Sequence, residues 1–158
     1  MNKILESQVK ENNHYGNYQG NDDFSHIIND NPIDKDYRIE SDELQEKSVS
    51  TTLEWAALEV KYTIKWQEEV NATLEYLYKS LSEQGSLNLK QSQKSWQTFI
   101  DDESDFVSDE FVYTGEFGTQ GMVRIATVEL YRTRDRAIEL MEYIFILDRD
   151  AVDFVYDN

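Results

Sequence analysis

Seven carboxylates, Asp101, Asp102, Glu103, Asp105, Asp109, Glu110 and Glu116, fall between residues 101 and 116 with no lysine or arginine among them. Phe106, Phe111, Tyr113 and Phe117 are interleaved with them. Two carboxylates at a defined separation can hydrolyse a glycoside, but a chain with 32 Asp and Glu offers such pairs by chance. A calcium loop does not fit, because Asp101-x-Glu103-x-Asp105 is followed by Phe106 where the turn needs glycine, and Val112 stands at the twelfth position. The two histidines, His14 and His26, lie in a polar N-terminal region, and there are no cysteines. A zinc site, a histidine base and a thiol nucleophile in the helical part are thereby excluded. Glycine-rich phosphate loops and nucleophile elbows are absent. These residues point to a non-enzymatic protein with no metal or cofactor. What the segment offers is an interface, with aromatic anchors set among charges that steer a basic partner. The alternative is a solvated acidic face whose rings turn inward.

The formal net charge of −17, from 32 Asp and Glu against 15 Lys and Arg, repels nucleic acid and anionic lipid and favours a basic protein as partner. No apolar run approaches the roughly 20 residues of a membrane-spanning helix; YIFIL, residues 143–147, is among the longest. At the start, MNKILESQVK, Glu6 interrupts the apolar pair Ile4 and Leu5, so no secretory h-region forms. The expectation is either a cytoplasmic protein or one whose leader has been removed.

The acidic segment has to be positioned by helices. Residues 1–49 are rich in Asn, Asp, Ser and Gln and read as a polar, flexible N-terminal arm. Within it FSHIINDNPIDKDYRI, residues 24–39, holds the one proline and enough Phe, Ile and Tyr to lie against a surface. Residues 50–158 form the helical domain. Thr51 and Glu54 have the spacing of a capping box. Leu53, Ala57, Val60, Ile64, Gln67, Asn71, Leu74, Tyr78 and Leu81 follow at steps of four and three, and Trp55, Tyr62, Trp66, Val70 and Leu77 widen the apolar face. The spacing predicts a helix covered on more than one side, ending at SEQGS, residues 82–86, with Gly85 as its C-terminal cap. A second helix is predicted from about 87 to 107, with Trp96 and Phe99 turned toward the first as core anchors. Its carboxylates would lie at the end where the helix dipole disfavours them, a local cost that hints at use elsewhere. YTGEFGTQG, residues 113–121, is a loop. A third helix is predicted from Val123 to near Arg149, after which AVDFVYDN either extends it or packs back. The fold class is all-α, a small antiparallel bundle of three main helices.

Gln93-x-x-Trp96-x-x-Phe99-x-Asp101-x-Glu103, followed by Thr133-Arg134-x-Arg136-x-x-x-Leu140, resembles the LprI-type lysozyme-inhibitor domain. Asn71, Leu74 and Tyr78 stand where that family's first helix carries its Asn-containing run. The likeness spans residues 53 to 144. It departs from the family pattern at Ile100, where an arginine is usual, and at Ser104 and near Val128, where the family's cysteines would stand. The resemblance implies a secreted or periplasmic helical protein that binds a lysozyme-like muramidase, with Arg136 pairing to Asp101 or Glu103. Asp101, Asp102, Glu103, Asp105, Asp109, Glu110, Phe111, Tyr113, Glu116 and Phe117 are then the candidate partner-binding residues. Two other readings fit the same residues: an immunity protein neutralising a dedicated cell-wall-degrading toxin, and a structural, envelope-associated helical module.

Overall fold

A computed structural model describes residues 22–156. Two short helices open it, α1 (Asp23–Asn29) and α2 (Pro32–Glu46). The Asp22 carboxylate accepts the Ser25 amide at 2.8 Å and the Asn31 side chain accepts that of Asp34 at 2.8 Å, so each helix start has a partner for an otherwise orphaned N–H. Pro32 begins α2, where its missing amide costs nothing. Three long helices follow, α3 (Thr52–Ser80), α4 (Glu83–Val107) and α5 (Gly121–Leu147). The all-α bundle read from the patterning is the fold observed, and among the described residues there is no strand.

The capping box at the start of α3 is present, with the Glu54 amide donating to Thr51 Oγ1 at 3.2 Å and the Thr51 amide to Glu54 Oε2 at 2.8 Å. At the other end the outcome differs from the expected glycine cap. Ser82 caps α4 by accepting the Gly85 amide at 3.1 Å, so Gly85 lies inside the next helix and the turn shrinks to Leu81 and Ser82. Two residues leave α4 no choice but to double back.

The segment expected as a flexible arm is corrected over its described part. Phe24, Ile28, Ile33, Tyr37 and Leu44 are buried in the same core as Tyr62, Trp66, Leu130 and Leu140. Ile33, Tyr37 and Leu44 do share one face of α2, but Ser41 interrupts their apolar row and the break at Asp30 and Asn31 separates it from Phe24 and Ile28, so the polar composition masks the pattern. Residues 1–21 of that arm lie outside the described residues. Helix α2 runs antiparallel to α3, joined by Glu40–Lys61 at 2.5 Å and Lys47–Glu54 at 3.0 Å. A bidentate pair at 2.7–3.1 Å ties Asp34 of α2 to Arg134 of α5, whose guanidinium lies 5.6 Å from the Trp66 ring centre.

The two apolar sets on α3 have different fates. Tyr62, Trp66, Val70 and Leu77 are buried, Tyr62 against Tyr37 of α2, and α3 with α5 is the most extensive helix pair among the described residues. Leu53, Val60 and Ile64 of the four-three stripe are 69%, 48% and 54% exposed, and Ala57 is exposed with them. Only the C-terminal half of that stripe finds α4, where Ser86 donates to the Tyr78 carbonyl at 3.1 Å and Lys90 lies over the Tyr78 ring. The final residues pack back. Glu69, fully buried, accepts the Val155 and Tyr156 amides at 3.2 and 2.8 Å, Phe154 meets Trp66 edge-on, and the Tyr156 hydroxyl donates to Asp36 at 2.8 Å.

Candidate functional site

Helix α4 positions the acidic segment and is itself lightly held. Ile100 is its one buried side chain. Trp96 is half-buried, and Phe99 is 53% exposed with the Arg132 guanidinium 5.3 Å from its ring centre, so the expected pair of core anchors is reduced to a partial one. Helix α4 runs antiparallel to α5, with Gln93 accepting from Arg136 Nε at 2.9 Å and Glu103 meeting Arg132 at 3.4 Å. Arg136 therefore does not reach Asp101 or Glu103. In an antiparallel pair Gln93 faces Arg136, and Glu103 lies ten residues on, about 15 Å further along the axis. Buried Arg136 also bonds Glu139 at 2.6 Å, and its Nη2 has no hydrogen-bond partner. The cation that serves the acidic segment is Arg132, one turn earlier.

After Val107 the chain does not become a loop at once. It widens into a π-helical turn, Ser108–Val112, closed by the Tyr113 amide bonding to the Ser108 carbonyl at 2.9 Å. Asp101, Asp102 and Asp105 thus lie well inside the helical run, and the carboxylates opposed to the dipole are Asp109 and Glu110. The Thr114 hydroxyl ties off the turn by donating to the Glu110 carbonyl at 2.7 Å. Gly115 and Gly118 then take positive φ values of 82° and 60°, which lets the connection fold over and return the Phe117 amide to the Phe111 carbonyl at 3.2 Å.

This geometry gathers the rings. Phe106 meets Phe111 edge-on and Phe111 meets Phe117 at a tilt, both with centroids 5.6 Å apart. They are half-exposed, between 36% and 52%, and Tyr113 is 80% exposed. Asp101, Asp102, Asp105, Asp109, Glu110 and Glu116 all face solvent, while Glu103 is half-buried beside Arg132. Gln97 donates to Asp101 at 2.9 Å.

Beneath the rings lies a cleft of about 270 Å³. Ile100, Val107, Phe111, Phe117, Ile125 and Val128 give it an apolar lining, and Glu103, Glu129, Arg124 and Arg132 give it a charged rim. Sequence reading missed the cleft because nearly half of its wall comes from α5, which the intervening turn folds back against α4. Ser104, where the resemblance would place one family cysteine, and Val128, near the place of its partner, both line it. Among the described residues no group of His, Asp and Glu side chains is placed to hold a metal ion.

A family model described as lysozyme inhibitor LprI matches residues 44–140. Neither the comparison with curated proteins nor that with solved structures finds a match. The matched span contains the whole acidic, aromatic ledge formed by residues 101–117, both ends of the cleft and the Gln93–Arg136 contact. It also covers all of α3 and most of α5, and no helix among the described residues is long and apolar enough to cross a membrane. The family is one of inhibitors rather than enzymes, with a lysozyme as partner and action outside the cytoplasm. The chain belongs to the LprI lysozyme-inhibitor family.

Proposed function

We propose that the chain inhibits a lysozyme-like peptidoglycan-cleaving enzyme, in the periplasm or outside the cell, by laying the surface of residues 101–117 across the cationic rim of the target's cleft. The observation that carries this reading is the trio of half-exposed phenylalanines set among solvent-facing carboxylates over an apolar cleft. Asp101, Asp102, Asp105, Asp109, Glu110 and Glu116 speed the encounter with a basic surface, and Glu103 supports the same field from the cleft's rim. Phe111, Phe117 and Tyr113 serve as anchors, since desolvated rings at the middle of an interface dominate its energy. Substrate is excluded because the target's cleft is covered, with no bond made or broken.

Replacing Asp101, Asp102, Asp105 and Asp109 by Asn should weaken inhibition about tenfold or more at low salt and flatten its dependence on ionic strength. Residual activity of several lysozyme types, titrated with purified protein, measures both. Unchanged inhibition by a folded variant rejects this surface. Failure of the wild-type protein to inhibit any lysozyme type returns the choice to a dedicated immunity protein or a structural envelope module.

A further inference from the structure

A second surface of the molecule has no part in that reading. On α3, Leu53, Ala57, Val60 and Ile64 are spaced four, three and four residues apart, the pattern of a coiled-coil seam, and all four are exposed. The seam has a definite end. Gln67 and Asn71, the next two positions, hydrogen-bond to each other at 3.2 Å and are polar. The apolar part therefore covers about three turns, roughly 17 Å of helix. Along one flank run Glu54 and Lys61, each paired to α2 through Lys47 and Glu40. This flank carries both signs of charge, unlike the acidic segment of residues 101–117.

We infer that this seam binds a second copy of the chain, α3 against α3 in antiparallel register. The register follows from the residues. Setting Leu53 opposite Ile64 of the other copy brings Ala57 opposite Val60, twice over by the two-fold symmetry that such an interface requires. Each layer then joins a larger with a smaller or matching side chain, and alanine lets the helices approach at the centre. The same register places Glu54 beside Lys61 of the other copy twice, once toward each end of the single edge where the two Glu54–Lys61 flanks meet. A parallel alignment gains no such pairing, because the opposite flank presents Ala56 and Thr63. A seam this short makes a weak dimer, with a dissociation constant on the order of tens of micromolar, which suits the small interface class.

Sedimentation equilibrium of the full chain from about 5 to 300 μM should show a monomer–dimer equilibrium centred in that range. Ile64→Glu should raise the dissociation constant at least about tenfold, and Lys61→Glu, which sets like charges together across the interface, should weaken it by less. Both positions are exposed, and unchanged circular dichroism shows that the monomer stays folded. Alignment is read by cross-linking, which the absence of native cysteines makes unambiguous. With a short thiol-reactive cross-linker, Leu53→Cys mixed with Ile64→Cys should give a heterodimer, and neither should link efficiently to itself. A wild-type chain that stays monomeric overturns the inference and leaves the seam for another partner. Self-linking of Leu53→Cys would show a parallel pair and overturns the register on which the inference stands.

Discussion

Asp34 and Arg134 join two helices a hundred residues apart, and the pair is nearly dry, with side chains 14% and 7% exposed. Asp34→Asn removes the carboxylate from a bidentate bond packed against Trp66, and Asp135, 3.8 Å from the same arginine, compensates only in part. The expected loss is about 3 kcal/mol, measured by urea unfolding. Glu59 carries the opposite sign. Burial pushes its carboxyl above the ordinary glutamate range, against the hydrogen bond that the Tyr37 hydroxyl donates at 2.6 Å, and Oε2 has no partner. Such a group binds its proton more tightly folded than unfolded. Its contribution to stability is therefore full below the ordinary glutamate pKa and is lost as pH rises through the raised one. Glu59→Gln keeps an acceptor for Tyr37 and should melt higher than wild type at neutral pH, with the difference vanishing in acid. A variant that melts lower at neutral pH would show that the charge is needed. Neither effect was legible in the sequence, since Asp34 and Tyr37 sit in a stretch whose polar composition hides them.

Among the elements, α4 stands apart. Its polar face looks outward along nearly all of its length, and Ile100 is the peg that fixes it. Amide exchange in the middle of α4 should be faster than in α3 or α5 by at least about tenfold, because local opening there exposes little apolar surface. The empty disulfide positions offer a second check. Ser104→Cys with Val128→Cys should oxidise to a bridge that closes a loop of 24 residues, from 104 to 128, raise stability by about 3 kcal/mol and slow exchange in α4. Failure of the thiols to pair would place these side chains farther apart than a shared cleft implies. Gly121 reports on the ledge from below. A Cβ there meets Val112 Cγ1 at 3.2 Å, so a methyl group presses on the π-helical turn that carries Asp109 and Glu110.

For the whole molecule, the bundle is closed at both chain ends by segments outside the three long helices. Helix α2 covers Tyr62, with the Tyr37 ring meeting it edge-on at 5.1 Å, and Phe24 of α1 packs on Phe145 at 5.3 Å. The C-terminal residues give buried Glu69 its two amide donors. Removing residues 153–158 should therefore cost more than the area of Phe154 alone accounts for, about 3 kcal/mol or more in total, because a desolvated carboxylate loses its partners. Its pKa is already raised by burial with those amides in place, so the truncated protein should recover part of the loss on acidification. A truncation that leaves thermal stability unchanged would deny the tail any structural role.

Sequence by itself determined the three long helices and the fold class, but not α1 and α2. Four-three spacing, a Thr51–Glu54 capping box and three glycines in one stretch are local signals, and each specifies backbone within a turn or two. The motif that carries the family resemblance was legible for the same reason, although its arginine partner was assigned one turn away from the one that meets Glu103. Tertiary structure decided which apolar face each helix buries. Both sets on α3 have helical period, and only the arrival of α2 and α5 on adjoining sides sends Trp66 inward and leaves Ile64 in solvent. It likewise decided that Phe106, Phe111 and Phe117 meet over a cleft half built by α5. Period constrains a helix against itself, whereas burial depends on surfaces that other parts of the chain bring to it.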